Sequence, residues 1–277
     1  MIHIMQGAGD ASVEEAKAPP MRRALLRLVA TRTAGEYPTV REFDFEVRLR
    51  EATLEAARAL NDSGAAFATF DQSRCNVEYW RREANGAFRL RPDRRPSAAV
   101  RDIFANGPMY AFECATAIVI VFYKATLEAI GDAAFDRLFA NTYLFHWNVD
   151  RDLGLTTVPT VAFVPGDCLY FDNPDVDPET MHWQGENVIF LGPDLYYGHG
   201  IGIRGARDII AKLNGHRRPG ATRSAHLLSQ ATRPDYVKLS QSAAATPGSD
   251  AGGGIGLPVW PGGTLFRARI GDGLYIG

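Results

Sequence analysis

The stretch "AFECATAIVIVFYKATLEAIG", residues 111–131, decides how the rest of the chain is read. Its middle, from Ala115 to Tyr123, is uncharged and rich in β-branched residues, and by propensity alone it passes for a buried strand. Its extent points the other way. An apolar pattern that runs on through Lys124 and Glu128 to a stop at Gly131 is too long for one strand and predicts a helix. The element before it, "SAAVRDIFAN", ends at Gly107 and Pro108, so the new helix cannot begin much before Ala111. Cys114 then falls in or near the first turn, with Glu113 directly ahead of it.

A cysteine at a helix start meets the positive end of the helix dipole and free N–H groups, and both favour thiolate, the reactive form. The plain alternative is a small buried thiol of the inert kind. Cys75, in a polar stretch, and Cys168, inside a strand-like apolar run, have less to recommend them. Three cysteines without CxxC or other metal-ligand spacing predict neither a disulfide framework nor a zinc site.

A thiol nucleophile needs a base, and usually a group that orients the base. Of the six histidines, His199 in "YYGHGIG" draws notice because glycines on both sides let a backbone or a substrate come close. A hydrogen-bonded strand histidine fits the same residues. If "QGENVIFLGPDLYYGHG" turns at Pro193 and Asp194 with Leu191 opposite Tyr196, then Val188 faces His199 and Glu186 lies diagonal to it. A slip of one residue undoes that arrangement. "GIGIRG", residues 200–205, matches G-x-G-x-x-G, but Ala221 and Thr222 stand where a dinucleotide site needs an acid, so nucleotide binding is not expected.

The whole chain, 277 residues with 46% hydrophobic and 22% charged, has the balance of a soluble globular protein. A net charge of −2 and a pI of about 6.3 leave no electrostatic footprint for nucleic acid. The uncharged apolar run is about half of what a membrane span needs. The first twenty residues lack an apolar core of signal-peptide length, so cytoplasmic synthesis with no membrane partner is expected. Residues 1–20 read as a flexible arm, 21–239 as a single catalytic domain, and the Gly/Pro/Ser-rich 240–277 as a disordered tail. Within the domain, Thr39 and Glu42 have capping-box spacing before a helix stopped by Gly64. Ser97 caps a second helix, Asn85-Gly86 turns a hairpin, and strands dominate after Asn141. Helices first and strands after predict an α+β domain.

"NGPMYAFECATAIVIVFY", "GDCLYFDNP", "HWQGENVIFLG", "YYGHGIGI" and "LLSQATR", together with "SGAAFATF" and "YWR", resemble in order one family. It is that of the bacterial protein-glutamine γ-glutamyltransferases, the small spore-coat transglutaminases of bacilli. The resemblance spans residues 40–233. It implies a papain-like α+β core of the kind seen in NlpC/P60 cell-wall cysteine hydrolases, with the nucleophile at a helix N-terminus packed on an antiparallel sheet. It also implies that Cys114 is the nucleophile, Glu186 the catalytic carboxylate, Glu113 its backup and His199 the histidine of the site.

The implied chemistry is attack of Cys114 on a protein-bound glutamine, loss of ammonia, and transfer of the acyl group to a lysine amine as an isopeptide. Glu186 is expected to serve both proton transfers, with Glu113 as a partial substitute. An ordinary carboxylate, with a pKa of about 4, is a poor base for a thiol or an amine, so the site must desolvate it. Trp183, Trp147 and Phe70 are the expected apolar walls of a substrate channel, though each is equally readable as a core aromatic. No cofactor is expected, and no calcium, because no D-x-[DN]-x-[DN]-G loop occurs. The expected partners are proteins carrying reactive Gln and Lys, spore-coat proteins if the source sporulates. Two other readings stay open: a cysteine hydrolase of the same fold, and a coat or scaffold protein with an inert Cys114.

Overall fold

The run that begins at Cys114 is a helix in the computed structural model, which describes residues 19–32, 39–244, 267–270 and 273–276. In chain order the helices are α1 Pro20–Arg32, α2 Val40–Asp62, α3 Pro96–Ala105, α4 Cys114–Ile130, α5 Asp132–Leu138, α6 Ala206–Asn214 and α7 Tyr236–Ala244. From Ala115 to Tyr123 no residue of α4 is more than 3% exposed. β-Branched residues are mediocre helix formers, but α4 is enclosed by α2, α3, α5, α7 and the main sheet. Burial all round outweighs propensity. Gly131, at φ +78, ends the helix in a conformation that suits glycine.

Local signals place the other helices. Thr39 caps α2: its Oγ1 accepts from the Glu42 N–H at 3.2 Å and donates to Glu42 Oε2 at 3.0 Å. In α3 the expected Ser97 cap gives way to Pro96 at the first helical position, where a missing N–H costs nothing. Ser97 lies one residue inside, and its N–H is taken by Asp136 of α5 at 2.7 Å.

The strands are β1 Ala66–Phe67, β2 Trp80–Arg82, β3 Phe88–Leu90, β4 Ala111–Phe112, β5 Tyr143–Leu144, β6 Thr156–Pro159, β7 Cys168–Asp172, β8 Gly185–Gly192, β9 Leu195–Gly198, β10 Gly202–Arg204, β11 His226–Leu227 and β12 Gln230–Arg233. The main sheet runs β10-β9-β8-β7-β12-β6 and is antiparallel throughout, with β11 also pairing β7. A smaller antiparallel sheet, β2-β3-β5, contains the Asn85-Gly86 turn. The short β1 and β4 pair in parallel, setting Phe67 beside Phe112 just ahead of α4. The fold is therefore a mixture of helix and mainly antiparallel sheet, as expected. The larger core surrounds α2 and α4. A smaller one, with Phe171, Val188, Tyr196 and Ile209, lies between the sheet and α6.

A buried ion cluster ties these parts together. Asp167, wholly buried at the head of β7, accepts from Arg50 of α2 at 2.8 Å and twice from Arg233 of β12 at 2.7 Å. Arg50 also reaches Glu46 at 2.7 Å and lies over the Tyr236 ring of α7 at 5.0 Å. Burial alone pushes the Asp167 carboxyl up, but the two guanidiniums outweigh it and hold the group below its ordinary value.

Helix α7 crosses the tail boundary expected near Leu239: both Leu239 and Ser240 are buried. Contacts with α2 and α4 order this segment where composition alone suggested a tail. Within the stretch read as disordered, β13 Arg267–Ile270 pairs antiparallel with β14 Gly273–Ile276. The rest of that tail, and residues 1–18 of the arm, lie outside the described residues. Among the described residues no helix is long and apolar enough to cross a membrane.

Replacing Asp167 with Asn removes the anion shared by the buried Arg50, which keeps Glu46, and the half-buried Arg233, a loss of about 3–5 kcal/mol at neutral pH. Urea unfolding curves measure it. Because the folded-state value of Asp167 is depressed, its contribution is present above the ordinary aspartate value of about 3.9. The wild-type advantage over Asp167→Asn is expected to shrink as pH falls below that value toward the folded-state one.

Candidate active site

A helix start leaves four N–H groups without intrahelical partners. In α4, Glu113 takes two of them on its side chain. Its carboxylate accepts the Ala115 N–H at 2.8 Å on Oε2 and the Thr116 N–H at 2.7 Å on Oε1. Its main-chain oxygen accepts the Ala117 N–H at 3.0 Å. The Thr116 hydroxyl adds a bond to Oε1 at 2.8 Å and itself accepts the His146 N–H at 2.9 Å. Glu113 is thus fixed as the N-cap, and Thr116 fastens it to the turn after β5.

The Cys114 thiol is half-buried and stands at the first helical position, as the sequence predicts. It donates toward Glu113 Oε2 at 3.6 Å, and the side-chain amide of Asn187 donates to its sulfur at 3.5 Å. The expectation of a resting thiolate does not hold. Burial pushes the thiol well up, Glu186 and Glu113 push it further, and the Asn187 donors only partly oppose them. The N–H groups that would stabilise a thiolate are spent on the Glu113 carboxylate. For comparison, burial pushes the Cys75 thiol up to about 11, and Cys168 is 3% exposed inside β7.

Glu186, on β8, is 3% exposed. Its Oε1 is buried with no hydrogen-bond partner among the described residues. Burial, then the nearby charge of Glu113, raise its carboxyl well above the ordinary value, and the His199 backbone N–H only partly offsets this. Gly198 makes room for the carboxyl: a Cβ there would stand 2.8 Å from Glu186 Oε1 and 3.0 Å from its Cγ.

The hairpin that was to bring His199 beside Glu186 has another register. Val188 faces Gly198 and Phe190 faces Tyr196, with an irregularity between Phe190 and Gly192 that shifts the expected pairing by one residue. The chain turns after Gly198, so His199 sits in the β9–β10 turn instead of on a strand. Its backbone reaches Glu186, but its ring is committed elsewhere. Nδ1 meets the Tyr197 hydroxyl and Nε2 the Ala66 carbonyl, both at 3.1 Å, and the ring stacks on Phe112 at 4.7 Å. Burial pushes the imidazole down to about 4, so it is neutral at pH 7. It clamps the turn to β1 and β4.

The three aromatics expected to form channel walls fall in different places. Phe70 packs on Phe145 at 4.6 Å, in the same segment as His146, whose backbone contacts Thr116. Trp147, 7% exposed, belongs to the larger core. Trp183, just ahead of β8, stacks on His216 at 4.2 Å with the Lys212 ammonium 5.0 Å from its ring. A surface hollow of about 500 Å³ lined by Tyr123, Asn141, Tyr143, Asp150 and Asp152 contains none of the site residues.

The structure brings Cys114, Glu113 and Glu186 together and adds Asn187 and Thr116, which sequence reasoning missed. No motif marks either. Strand alternation sends neighbours to opposite faces, so the adjacency of Asn187 to Glu186 is no pointer to a shared site.

A family model described as protein-glutamine gamma-glutamyltransferase matches residues 1–243. The chain is 49% identical over 220 residues to the protein-glutamine gamma-glutamyltransferase of Bacillus pumilus, covering 79% of this chain and 89% of that one. It is 46% identical over 215 residues to that of Bacillus subtilis, covering 78% and 87%. Among solved structures it is similar to a transglutaminase from Geobacillus stearothermophilus without its C-terminal extension. The TM-score is 0.71 and the identity 54%, over 74% of this chain and 98% of that one.

The nearest atoms to a methyl group at Gly198 are Oε1, Cγ and Cδ of one side chain, Glu186, so Gly198→Ala is expected to shift the melting temperature by no more than about 2–4 °C. The displaced Glu186 carboxyl is expected to cost turnover about 10²-fold. Calorimetry and a turnover assay on one preparation check both halves.

Proposed function

The chain belongs to the protein-glutamine γ-glutamyltransferase family, and on that premise we propose that it cross-links proteins through a thioester on Cys114, without calcium. The observation that carries this assignment is a thiol set between a fixed carboxylate, Glu113, and a buried carboxyl with a free oxygen, Glu186. Nucleophile and proton carriers are all side chains of this chain, so the acyl transfer needs no Lewis acid. The papain-like comparison rests on the same feature, a cysteine at the start of a helix packed on an antiparallel sheet. Residues 21–239 are proposed as the catalytic domain, with α7 as its closing element.

In the first half-reaction the sulfur bonds to the γ-carboxamide carbon while the thiol proton passes to Glu113 Oε2, the oxygen it already faces. Collapse breaks the C–N bond, and the nitrogen takes a proton from Glu186 and leaves as ammonia. In the second half a neutral lysine amine attacks the thioester and gives its proton to the Glu186 carboxylate. The departing sulfur recovers its own proton from Glu113, and the resting state returns. Two carboxyls in different surroundings divide the work: the capped one serves sulfur, the desolvated one serves nitrogen. His199 holds the turn against which Glu186 rests. Phe70, Trp147 and Trp183 are proposed to limit water around the thioester, so that lysine competes against hydrolysis.

The substrates are proteins with accessible Gln and Lys. The relatives named above from Bacillus species support spore-coat proteins as the proposed setting.

Incorporation of a fluorescent primary amine into a glutamine-rich protein, with EDTA present, tests the reading. Wild type is expected to incorporate, Cys114→Ala to give none, and Glu186→Gln to fall by about 10²–10⁴-fold. Ammonia released without amine incorporation would identify a hydrolase instead. Loss of activity in EDTA, restored by calcium, would overturn the metal-free part.

A further inference from the structure

Of the four N–H groups at the start of α4, on residues 113–116, the Glu113 carboxylate satisfies those of Ala115 and Thr116. That of Cys114 has no partner among the described residues. Asn187, only 6% exposed, donates to the sulfur from its backbone N–H and from its side-chain amide, with Nδ2 3.5 Å from Sγ. A thiol sulfur is a weak acceptor, so a buried amide pointed at one is poorly used at rest. It gains a far better acceptor once the sulfur is bonded to a carbon that carries a negatively charged oxygen.

We propose that the Asn187 side-chain amide and the Cys114 backbone N–H form the oxyanion hole of this enzyme. As the C–S bond forms, the carbonyl π-electrons move onto oxygen. The two donors hold that oxyanion until the C–N bond breaks and the carbonyl is restored. The same pair serves the second half-reaction, when lysine attacks the thioester carbonyl. The Cys114 donor also lies at the positive end of a seventeen-residue helix, where the dipole favours the developing charge. Glu113 uses up the neighbouring N–H groups, which keeps the oxyanion to this one position. Glu186 and Glu113, on the proton-carrying side, have no part in it.

This inference rests on Cys114 being the nucleophile, so the test separates the two. Cys114→Ala, Asn187→Ala and Asn187→Ser are compared with wild type for amine incorporation and for melting temperature. The Asn187 variants are also compared for alkylation of Cys114 by iodoacetamide, a displacement at saturated carbon that forms no oxyanion. Asn187→Ala is expected to lower kcat by about 10²–10³-fold, with KM for the glutamine donor and the alkylation rate within a few-fold of wild type. Asn187→Ser, which keeps a shorter donor, is expected to fall between and serves as the variant to read if the alanine protein does not fold. Alkylation falling in parallel with acyl transfer would make Asn187 a residue that only sets the thiol, and unchanged turnover would remove it from the chemistry. Either result overturns the assignment with Cys114 still standing, whereas acyl transfer surviving in Cys114→Ala would remove the premise.

Discussion

The cap that Glu113 places on α4 is the interaction from which the rest of the site follows. As an N-cap it contributes about 0.5–2 kcal/mol, no more than the usual serine or aspartate. Its larger effect is electrostatic. By drawing the N–H groups of Ala115 and Thr116 to its carboxylate, it removes two donors that would otherwise be free to stabilise a Cys114 thiolate. It also puts a fixed negative charge beside Glu186. The sulfur therefore rests as a thiol, and a proton is driven onto the one carboxyl that has no donors of its own on Oε1. On the proposed reading, the two glutamates are the residues that move protons during the reaction.

The scaffold holds these groups still. Helix α4 is sealed on all sides, so its first turn cannot drift without disturbing the core. Strand β8 is paired on both edges, by β7 and β9, and carries Asn187 to the sulfur and Glu186 near enough for its charge to act on it. Between these two elements lies the β9–β10 turn, pinned by the His199 ring to Tyr197, Ala66 and Phe112. A catalytic histidine would need a free ring nitrogen, and here both nitrogens are bonded. Farther out, Asp167 joins α2 to β12, and Arg50 extends the cluster to α7. The ends of the domain are thereby fastened to the layer that carries the chemistry.

Much of this was legible from sequence wherever a local pattern records a local cause. The length of the apolar run separated helix from strand despite its β-branched residues, and the Gly107–Pro108 stop fixed Cys114 at the helix start. Thr39 announced the cap of α2, Asn85-Gly86 its hairpin, and ordered resemblance across many segments placed Glu113 and Glu186. The cap at Ser97 was misplaced by two residues, because Pro96 takes the first helical position and Arg95 the cap. The tail boundary failed because composition cannot register the packing that buries Leu239.

The sequence by itself determined where Cys114 sits, because helix starts are written in residues adjacent to them. Only the tertiary structure decided how that thiol behaves. A one-residue change in strand register around Phe190 and Gly192 leaves the alternation of side chains locally intelligible, yet it moves His199 from strand to turn and frees its neighbourhood for Glu186. The protonation of Cys114 is likewise a sum over groups at positions 113, 186 and 187, and Coulomb forces and desolvation act through space. No spacing along the chain encodes that sum, so the direction of the thiol shift and the approach of Asn187 emerge only when α4 and β8 are packed together.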